Sequence, residues 1–325
     1  MRYVAVALAL ALVACTKEKE PDAIAPTPTS SASATATPSA TSSAAPTPTA
    51  SFDAGAALAY LGDAGLNDRE RTDLASILSN LDAPCPSVAV SIAQCLAEHR
   101  PCDDCGVAAR YLAMGVRDGW PPQFLGKAYG ARFDPDQRRD VPIGDSPTRG
   151  PASAPITIVE FGSYTCPHCA AEAPVIDTLM AAHPKGIRLV FKPMWTPDNV
   201  NSVNATRAAF AAAAQGKFWE MHSVIFADES KESTADLEAT ARSLGLDIGR
   251  FRDDAGSSET LNRMKRDIAL AQALQIDNLP TLWINGRMLQ PGEKLPERIA
   301  FELAYGTSGT SAASPAGGAA HLPPR

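Results

Sequence analysis

Residues 156–182 read ITIVEFGSYTCPHCAAEAPVIDTLMAA, and this stretch decides the fold. Its apolar start, Ile156–Phe161, predicts a buried strand, and Pro167–Ala182 predicts a helix. Between them lies Cys166-Pro167-His168-Cys169. Two thiols separated by two residues, where a strand gives way to a helix, can open and close a disulfide without moving the backbone. The stretch therefore indicates redox chemistry.

The 325-residue chain has a formal net charge of -7 and no basic cluster, so nothing in its charge pattern predicts nucleic-acid binding. Residues 1–14 combine Arg2 with the apolar run Val4–Val13, which is too short to span a bilayer and predicts a signal peptide. Leu12-Val13-Ala14-Cys15 resembles the lipobox of bacterial lipoproteins, which implies lipidation at Cys15. The alternative is an ordinary signal peptide with a chance cysteine.

The rest of the chain divides by composition. Residues 15–54 are expected to be a lipid-anchored disordered linker, because residues 25–51 contain only Ala, Pro, Ser and Thr. We expect four further segments: a small helical domain with four cysteines at 55–132, a proline-rich connector at 133–153, an α/β domain at 154–306 and a disordered tail at 307–325.

The α/β domain follows a β-α-β, helical, β-β-α order. A strand is predicted at Ile187–Phe191 and a helical insertion at about 200–275. Thr281–Ile284 and Arg287–Gln290 flank an Asn-Gly pair, which favours a tight hairpin, and a last helix is predicted at 295–305. This order indicates a central sheet with helices on both faces.

The dithiol sits where a helix N-terminus favours a thiolate, so Cys166 is the candidate nucleophile. Pro167 fits the first helical position, and His168 can add positive charge or a hydrogen bond to the same sulfur. Cys169, one turn further on, is the candidate resolving thiol. The alternatives are a static disulfide or half of a zinc site.

Glu160 lies in the strand six residues before Cys166, and Lys192 ends the neighbouring strand. A buried carboxylate beneath the dithiol could take the proton of the resolving cysteine, with the lysine holding its charge. An ordinary ion pair at the strand edge is the alternative.

Leu279-Pro280-Thr281 directly precedes the hairpin. A proline at a strand start suits a cis peptide, which would present the Leu279 backbone to an extended substrate beside the dithiol. Leu279 and Thr281 are therefore the candidate substrate-binding residues.

Residues from about 150 to 306 resemble the DsbA-like branch of the thioredoxin fold. The resemblance rests on Glu160-Phe161 before the CPHC motif, on Gln215–His222 in the helical insertion, and on Leu279-Pro280-Thr281. It implies a thioredoxin-like α/β fold with a helical insertion, Cys166 as nucleophile, Cys169 as resolver and Pro280 as the cis-proline. Leu279 departs from the smaller or β-branched residue usual before that proline.

The helical segment carries Cys85, Cys95, Cys102 and Cys105 within 21 residues. Three interpretations are open: two structural disulfides, a four-thiolate zinc site, or a second dithiol at Cys102 and Cys105 that exchanges with Cys166. Residues 70–132 also faintly resemble the CcmH family of cytochrome maturation proteins, but the spacing of the cysteines carries over no catalytic role.

The sequence thus predicts an extracytoplasmic, membrane-anchored thiol:disulfide oxidoreductase, on the periplasmic side and with the outer membrane as one candidate location. Exported proteins with cysteines and a membrane redox partner that resets the dithiol are its expected partners. No cofactor and no metal are expected, since the dithiol itself carries two electrons. The alternatives are a reductase in cytochrome maturation, with the N-terminal cysteines as electron relay, and a non-catalytic peptide-binding module.

Overall fold

The centre of the computed structural model, which describes residues 54–228 and 232–306, is a mixed sheet of spatial order β1-β3-β2-β4-β5. Its strands are β1 (Thr148–Arg149), β2 (Ile156–Gly162), β3 (Ile187–Pro193), β4 (Thr281–Ile284) and β5 (Arg287–Met288). Strands β2 and β3 run parallel, and the other neighbouring pairs are antiparallel. The register sets Phe161 opposite both Lys192 and Thr281, so the end of β2 lies beside the start of β4.

From residue 54 onward, five α-helices precede the sheet in the chain. They are α1 (Gly55–Leu61), α2 (Asp68–Asn80), α3 (Ile92–Ala97), α4 (Asp104–Arg117) and α5 (Pro122–Phe133). Helix α4 is at the centre of this segment, because most of its residues are buried. These helices agree with the all-helical segment predicted at 55–132.

Among the residues that the structure describes, seven helices follow β2. They are α6 (Pro167–Ala182), α7 (Val200–Ala214), α8 (Phe218–Ala227), α9 (Thr234–Ser243), α10 (Ile248–Gly256), α11 (Ser258–Ala273) and α12 (Leu295–Tyr305). Helices α7 to α11 form the insertion between β3 and β4. Two of the breaks within the predicted helical insertion lie at Gly216, whose φ is 73°, and at Ser257, whose hydroxyl caps α11.

Both faces of the sheet are covered, which explains why β2 is apolar along nearly its whole length. Ile158 faces α6 and α12, where it packs with Ile176 and Ile299. Phe161 faces the other side, where it packs with Ala271 of α11 and with the connector. This two-sided packing confirms the predicted α/β architecture.

The connector at 133–153 contains two elements that the sequence did not predict. A 3-10 turn lies at Pro135–Gln137, and β1 pairs with β3 through Thr148 and Arg149. Val141 and Ile143 pack over the sheet beside β2. The connector therefore supplies the edge strand β1 and two side chains that cover one face of the sheet.

A buried polar network joins the helical segment to α12. Arg298 donates to Glu293 Oε1 and Glu302 Oε1, both at 2.8 Å. From the helical segment, Tyr111 Oη donates to Glu293 Oε1 at 2.5 Å and Arg132 Nε donates to Glu302 Oε1 at 2.6 Å. The helical segment and the sheet therefore pack together, while the predicted domain boundaries at 132 and 154 stay predictions.

Several predictions fall on parts of the chain that the structure does not describe. The signal peptide at 1–14, the lipidation site Cys15 and the tail at 307–325 lie outside the described residues, as does the linker except for its last residue, Ala54. Within 54–228 and 232–306, none of the helices has both the length and the apolar character needed to cross a membrane.

Candidate active site

The CPHC motif lies at the start of α6, directly after the short loop that follows β2. Cys166 is the N-cap residue of α6, Pro167 is the first helical residue, and the N–H of Cys166 donates to Ser163 O at 3.2 Å. Cys166 is half-buried, Cys169 is fully buried, and both are free thiols. One sulfur therefore reaches the surface while its neighbour is shielded, an arrangement that suits a nucleophile and a resolving thiol.

Burial dominates the chemistry of Cys169. It raises the pKa of the thiol well above its ordinary value, and the hydrogen bond to Cys166 and the charge of Glu160 raise it further. The Ser163 N–H donates to Cys169 Sγ at 3.4 Å and acts in the opposite direction. Cys169 is thus held as a protonated thiol, and it needs a proton acceptor before it can attack.

Cys166 faces the loop before β4. Its S–H donates to Leu279 O at 3.7 Å, and both residues pack against the apolar cluster around Cys169. Pro167 and His168 are exposed, and no hydrogen bond joins His168 to Cys166 among the described contacts.

Glu160 is fully buried in β2, and its Oε1 accepts no hydrogen bond from a described residue. Desolvation raises the pKa of Glu160 to about 8, with smaller contributions in the same direction from Glu172 and Asp177. A Cβ added at Gly162 would lie 3.0 Å from Glu160 Oε1, so the carboxyl group extends along the strand toward the dithiol. This group can exchange a proton near neutral pH.

Gly162 and Ser163 are the functional positions that the sequence analysis missed. Gly162 leaves room for the carboxyl of Glu160 and for the Phe191 ring, which a Cβ would approach to 3.0 Å. Ser163 supplies the N–H for Cys169. A glycine at the last position of an apolar strand, directly before the motif, was the signal that could have revealed the close approach.

The predicted link between Lys192 and Glu160 is wrong. Lys192 Nζ binds Asp267 Oδ1 at 3.3 Å and Ser146 Oγ at 2.8 Å, and the side chain is buried there. Adjacent residues of a strand point to opposite faces, so Lys192 shares its face with Phe161, the residue opposite it in the register, and not with Glu160. Glu160 is therefore a lone buried carboxyl, and the alternative of a strand-edge ion pair does not apply to it.

The loop before β4 completes the surface around Cys166. The Leu279–Pro280 peptide bond is cis, the geometry expected from its place before the hairpin. Leu279, Pro280 and Thr281 are all half-buried, and the Thr281 hydroxyl donates to Asn278 O at 2.6 Å. The backbone of this loop contacts the exposed sulfur through Leu279 O, while its role in substrate binding stays a prediction.

An aromatic cluster packs against Tyr164 in the loop between β2 and α6. Buried Tyr164 lies 3.2 Å, oxygen to Nδ1, from buried His222, and its ring packs against Phe191 and Phe226. Burial lowers the pKa of His222 to about 3, so the imidazole is neutral and takes no proton from the site at physiological pH. These residues hold the loop in place.

The four cysteines of the helical segment form two disulfides, Cys85–Cys102 and Cys95–Cys105. This matches the first of the three interpretations of these cysteines. The sulfurs of Cys95, Cys102 and Cys105 lie within 4.8 Å of one another, but sulfurs joined in disulfides cannot act as thiolate ligands to zinc. Cys102 and Cys105 belong to different bridges, so they are not a ready-made dithiol.

Comparisons with known proteins find one matching family model and several similar solved structures. The family model described as Thioredoxin matches residues 143–297. A thioredoxin-like oxidoreductase from Silicibacter pomeroyi is 26% identical, with a TM-score of 0.47, and the match covers 51% of this chain and 95% of that one. BdbD from Bacillus subtilis is 20% identical, with a TM-score of 0.45 and coverage of 51% and 97%.

Part of the chain is also similar in sequence to part of a protein named as an ion antiporter. The Na(+)/H(+) antiporter NhaA 3 of Salinispora tropica is 34% identical over 140 residues, which cover 43% of this chain. The match spans only 21% of the antiporter's length. The family model matches residues 143–297, just under half of the chain, and the strand order and the helical insertion between β3 and β4 agree with the predicted thioredoxin-like α/β fold.

Proposed function

We propose that the chain is a thiol:disulfide oxidoreductase of the oxidase or isomerase type, which forms or reshuffles disulfides in exported proteins. The observation that carries the proposal is the asymmetry of the dithiol. Cys166 is half-exposed at the N-terminus of a 16-residue helix, whereas Cys169 is fully buried and strongly disfavours its charged form. Backbone N–H groups at a helix N-terminus stabilise negative charge, so this position suits a sulfur that acts as nucleophile and leaving group.

In the oxidising direction, a substrate thiolate attacks Cys166 in the Cys166–Cys169 disulfide. A mixed disulfide forms at Cys166, and Cys169 leaves as a thiolate. Because Glu160 has a pKa of about 8, it still holds a proton near pH 7 and can pass it to Cys169. A second substrate thiolate then attacks the substrate sulfur of the mixed disulfide, which forms the substrate disulfide and releases Cys166.

The same steps run in reverse for reduction or isomerisation. Cys169 then attacks the mixed disulfide, and ionised Glu160 takes its proton. Reshuffling of a wrong disulfide needs both directions, so one buried carboxyl serves either role.

The location and the partners are part of the proposal. The lipobox-like sequence ending at Cys15 supports a lipid anchor, and the Ala, Pro, Ser and Thr linker could reach roughly 80 Å at about 3.1 Å per residue. The enzyme would then act at the outer face of a membrane on exported proteins with cysteines. A membrane redox partner would return the dithiol to its disulfide form.

Trapping tests the exchange reaction. In a Cys169→Ser chain, the reduced Cys166 should attack a disulfide-bonded peptide and stop at the mixed disulfide, which intact mass spectrometry detects. The matched control, Cys166→Ser, should trap at least about 100-fold less, because Cys169 is shielded and protonated. Failure of the Cys169→Ser chain to form any adduct would favour a binding module with a merely structural cysteine pair.

The direction of the reaction is tested by the reduction potential of the Cys166–Cys169 pair. Peptide mapping in redox buffers reports this pair separately from the other five cysteines. An oxidase should have a potential closer to the roughly -120 mV of DsbA than to the roughly -270 mV of thioredoxin. A value near that of thioredoxin would contradict the oxidase assignment and favour a reductase.

A further inference from the structure

The two disulfides of the helical segment differ in how accessible they are. Cys95 and Cys105 are each 1% exposed, so no external thiol reaches their bond. Cys102 is 8% exposed, and Cys85 is half-buried on a turn beside exposed Pro86 and Ser87. An attacking thiol therefore meets the sulfur of Cys85 first.

The accessible bridge lies against the buried one. The sulfurs of Cys102, Cys95 and Cys105 all lie within 4.8 Å of one another, inside a common apolar cluster with Val88. When the bond to Cys85 opens, the Cys102 sulfur is left next to an intact disulfide. Two reacting groups held this close in one chain meet at a very high effective concentration.

Backbone hydrogen bonds hold the two segments that carry Cys85 and Cys102, independently of the bridge between them. Backbone hydrogen bonds fix the turn on both sides, with Ala83 N donating to Val90 O at 2.8 Å and Ile92 N to Leu81 O at 2.9 Å. Cys102 itself donates its N–H to Arg100 O at 2.7 Å. The geometry of the cluster thus depends on more than the bridge itself.

We propose that Cys85, Cys95, Cys102 and Cys105 form a second thiol–disulfide exchange site, where a dithiol attacks at Cys85 and the bridges rearrange to a Cys102–Cys105 disulfide. This site is separate from the CPHC centre, because its sulfurs belong to an apolar cluster of residues 83–105, whereas Cys166 and Cys169 belong to another cluster.

The steps balance as follows. A thiolate of the dithiol attacks Cys85, a mixed disulfide forms there, and Cys102 leaves as a thiolate. The Cys102 thiolate attacks the sulfur of Cys105, the Cys102–Cys105 bond forms, and Cys95 leaves as a thiolate that takes a proton from solvent. The second thiol of the dithiol, after losing its proton, attacks the mixed disulfide and releases Cys85. Two electrons pass from the dithiol to the chain, which keeps one disulfide in place of two.

The local chemistry selects Cys105 as the sulfur that Cys102 attacks. The Cys105 N–H donates to Cys102 O at 3.2 Å, so the backbone already makes the turn that brings the two residues together. Asp104 directly precedes Cys105 and disfavours a thiolate there, so Cys95 is the better leaving group when Cys102 attacks the Cys95–Cys105 bond. The free thiols are therefore expected at Cys85 and Cys95.

The test uses the full oxidised chain with Cys166→Ser and Cys169→Ser, so that the CPHC centre takes no part. One equivalent of dithiothreitol is added, the reaction is stopped with acid, free thiols are alkylated, and the bridges are mapped by mass spectrometry. The proposal predicts alkylation of Cys85 and Cys95 and a Cys102–Cys105 bridge. Alkylation of Cys85 and Cys102 with Cys95–Cys105 intact, a different bridge, or no released thiol would overturn it.

A Cys102→Ser substitution in the same background is the matched control. It leaves Cys95–Cys105 without its attacking neighbour, so the release of Cys95 should slow at least tenfold relative to the parent chain. Equal rates in the two chains would mean that dithiothreitol reaches the buried bridge directly, and they would overturn the proposal. Far-UV circular dichroism checks that both chains keep their helices, and the mapping of the parent chain stands independently of the control.

Discussion

Glu160 is the active-site carboxyl whose surroundings differ most from water. Its neighbours in the sheet are apolar, and no described cation forms an ion pair with it. The cost of burying its charge raises its pKa to about 8, which brings its titration into the range where disulfide exchange operates. The proton on Glu160 thus becomes available for Cys169, whose thiolate is itself costly to form.

Replacing Glu160 with Gln should slow disulfide transfer to a dithiol peptide by about 10- to 100-fold near pH 6 to 7, because the proton donor for Cys169 is lost. Ionised Glu160 cannot donate, so the wild-type advantage should shrink as the pH rises through about 8. Stopped-flow rates from pH 6 to 9 measure the effect. Glu220→Gln, at an exposed carboxylate of α8 that pairs with Lys217, is the control and should leave the rates unchanged. A rate ratio between wild type and Glu160→Gln that does not vary with pH would contradict the role.

At the scale of elements, β3 and α11 are linked by a buried ion pair. Lys192 and Asp267 have side-chain exposures of 4% and 10%, so each would be left as an unpaired buried charge without the other. The pair also holds the connector, since Ser146 Oγ accepts from Lys192 at 2.8 Å.

Lys192→Met should therefore lower the free energy of unfolding by about 3–5 kcal/mol, because Asp267 is left buried and unpaired. The double variant Lys192→Met/Asp267→Leu should recover much of that loss, since it removes both charges. Urea unfolding of the three chains measures the difference. If Lys192→Met instead abolished the pH dependence that Glu160 imposes on disulfide transfer, Lys192 would act on Glu160, and its assignment as the partner of Asp267 alone would be wrong.

Local patterns predicted the elements that bury continuous or periodic apolar faces. Helices α6 and α12 and strand β4 have the predicted bounds, because each combines apolar spacing with a proline or an Asn-Gly signal at its end. Strand β1 escaped prediction because two residues in a proline-rich segment carry no periodicity. The breaks before α8 and α11 were missed because only single residues, Gly216 and Ser257, mark them.

The whole molecule depends on the contact between the helical segment and α12. Arg298 is 1% exposed and lies at the centre of that contact, between Glu293 and Glu302. Tyr111 and Phe301 pack edge to face with ring centroids 5.3 Å apart, so polar and apolar contacts coincide there. Because these contacts are buried, the helical segment and the sheet are expected to unfold together.

Arg298→Met should lower the free energy of unfolding by about 3–5 kcal/mol, because it leaves two buried carboxylates without their shared cation. Lys294→Met is the control: Lys294 is exposed and pairs only weakly with Glu297 at 3.7 Å, so its loss should change stability by less than about 1 kcal/mol. Urea unfolding followed by circular dichroism gives both values. Equal effects for the two substitutions would show that the network contributes little.

The sequence alone located the candidate active site, but it did not predict the contacts that surround it. Cys166, Cys169 and Pro280 were found because each lies at a fixed place in a strand–helix or strand–turn pattern. The partner of Lys192, the pairing of the four N-terminal cysteines and the room that Gly162 leaves for Glu160 depend on residues distant in sequence, or on the face that a side chain takes. Such distances follow only from the assembled sheet.

The account depends on the difference between the two active-site thiols, and brief alkylation of the reduced, folded chain at pH 6 tests it directly. Peptide mass spectrometry compares the labelling of Cys166 and Cys169 in the same sample. The account predicts that Cys166 is labelled at least about 100-fold faster, because it is half-exposed at the N-terminus of α6 while Cys169 is buried and protonated. Equal labelling of the two cysteines, or a Cys166 that stays unlabelled, would contradict it.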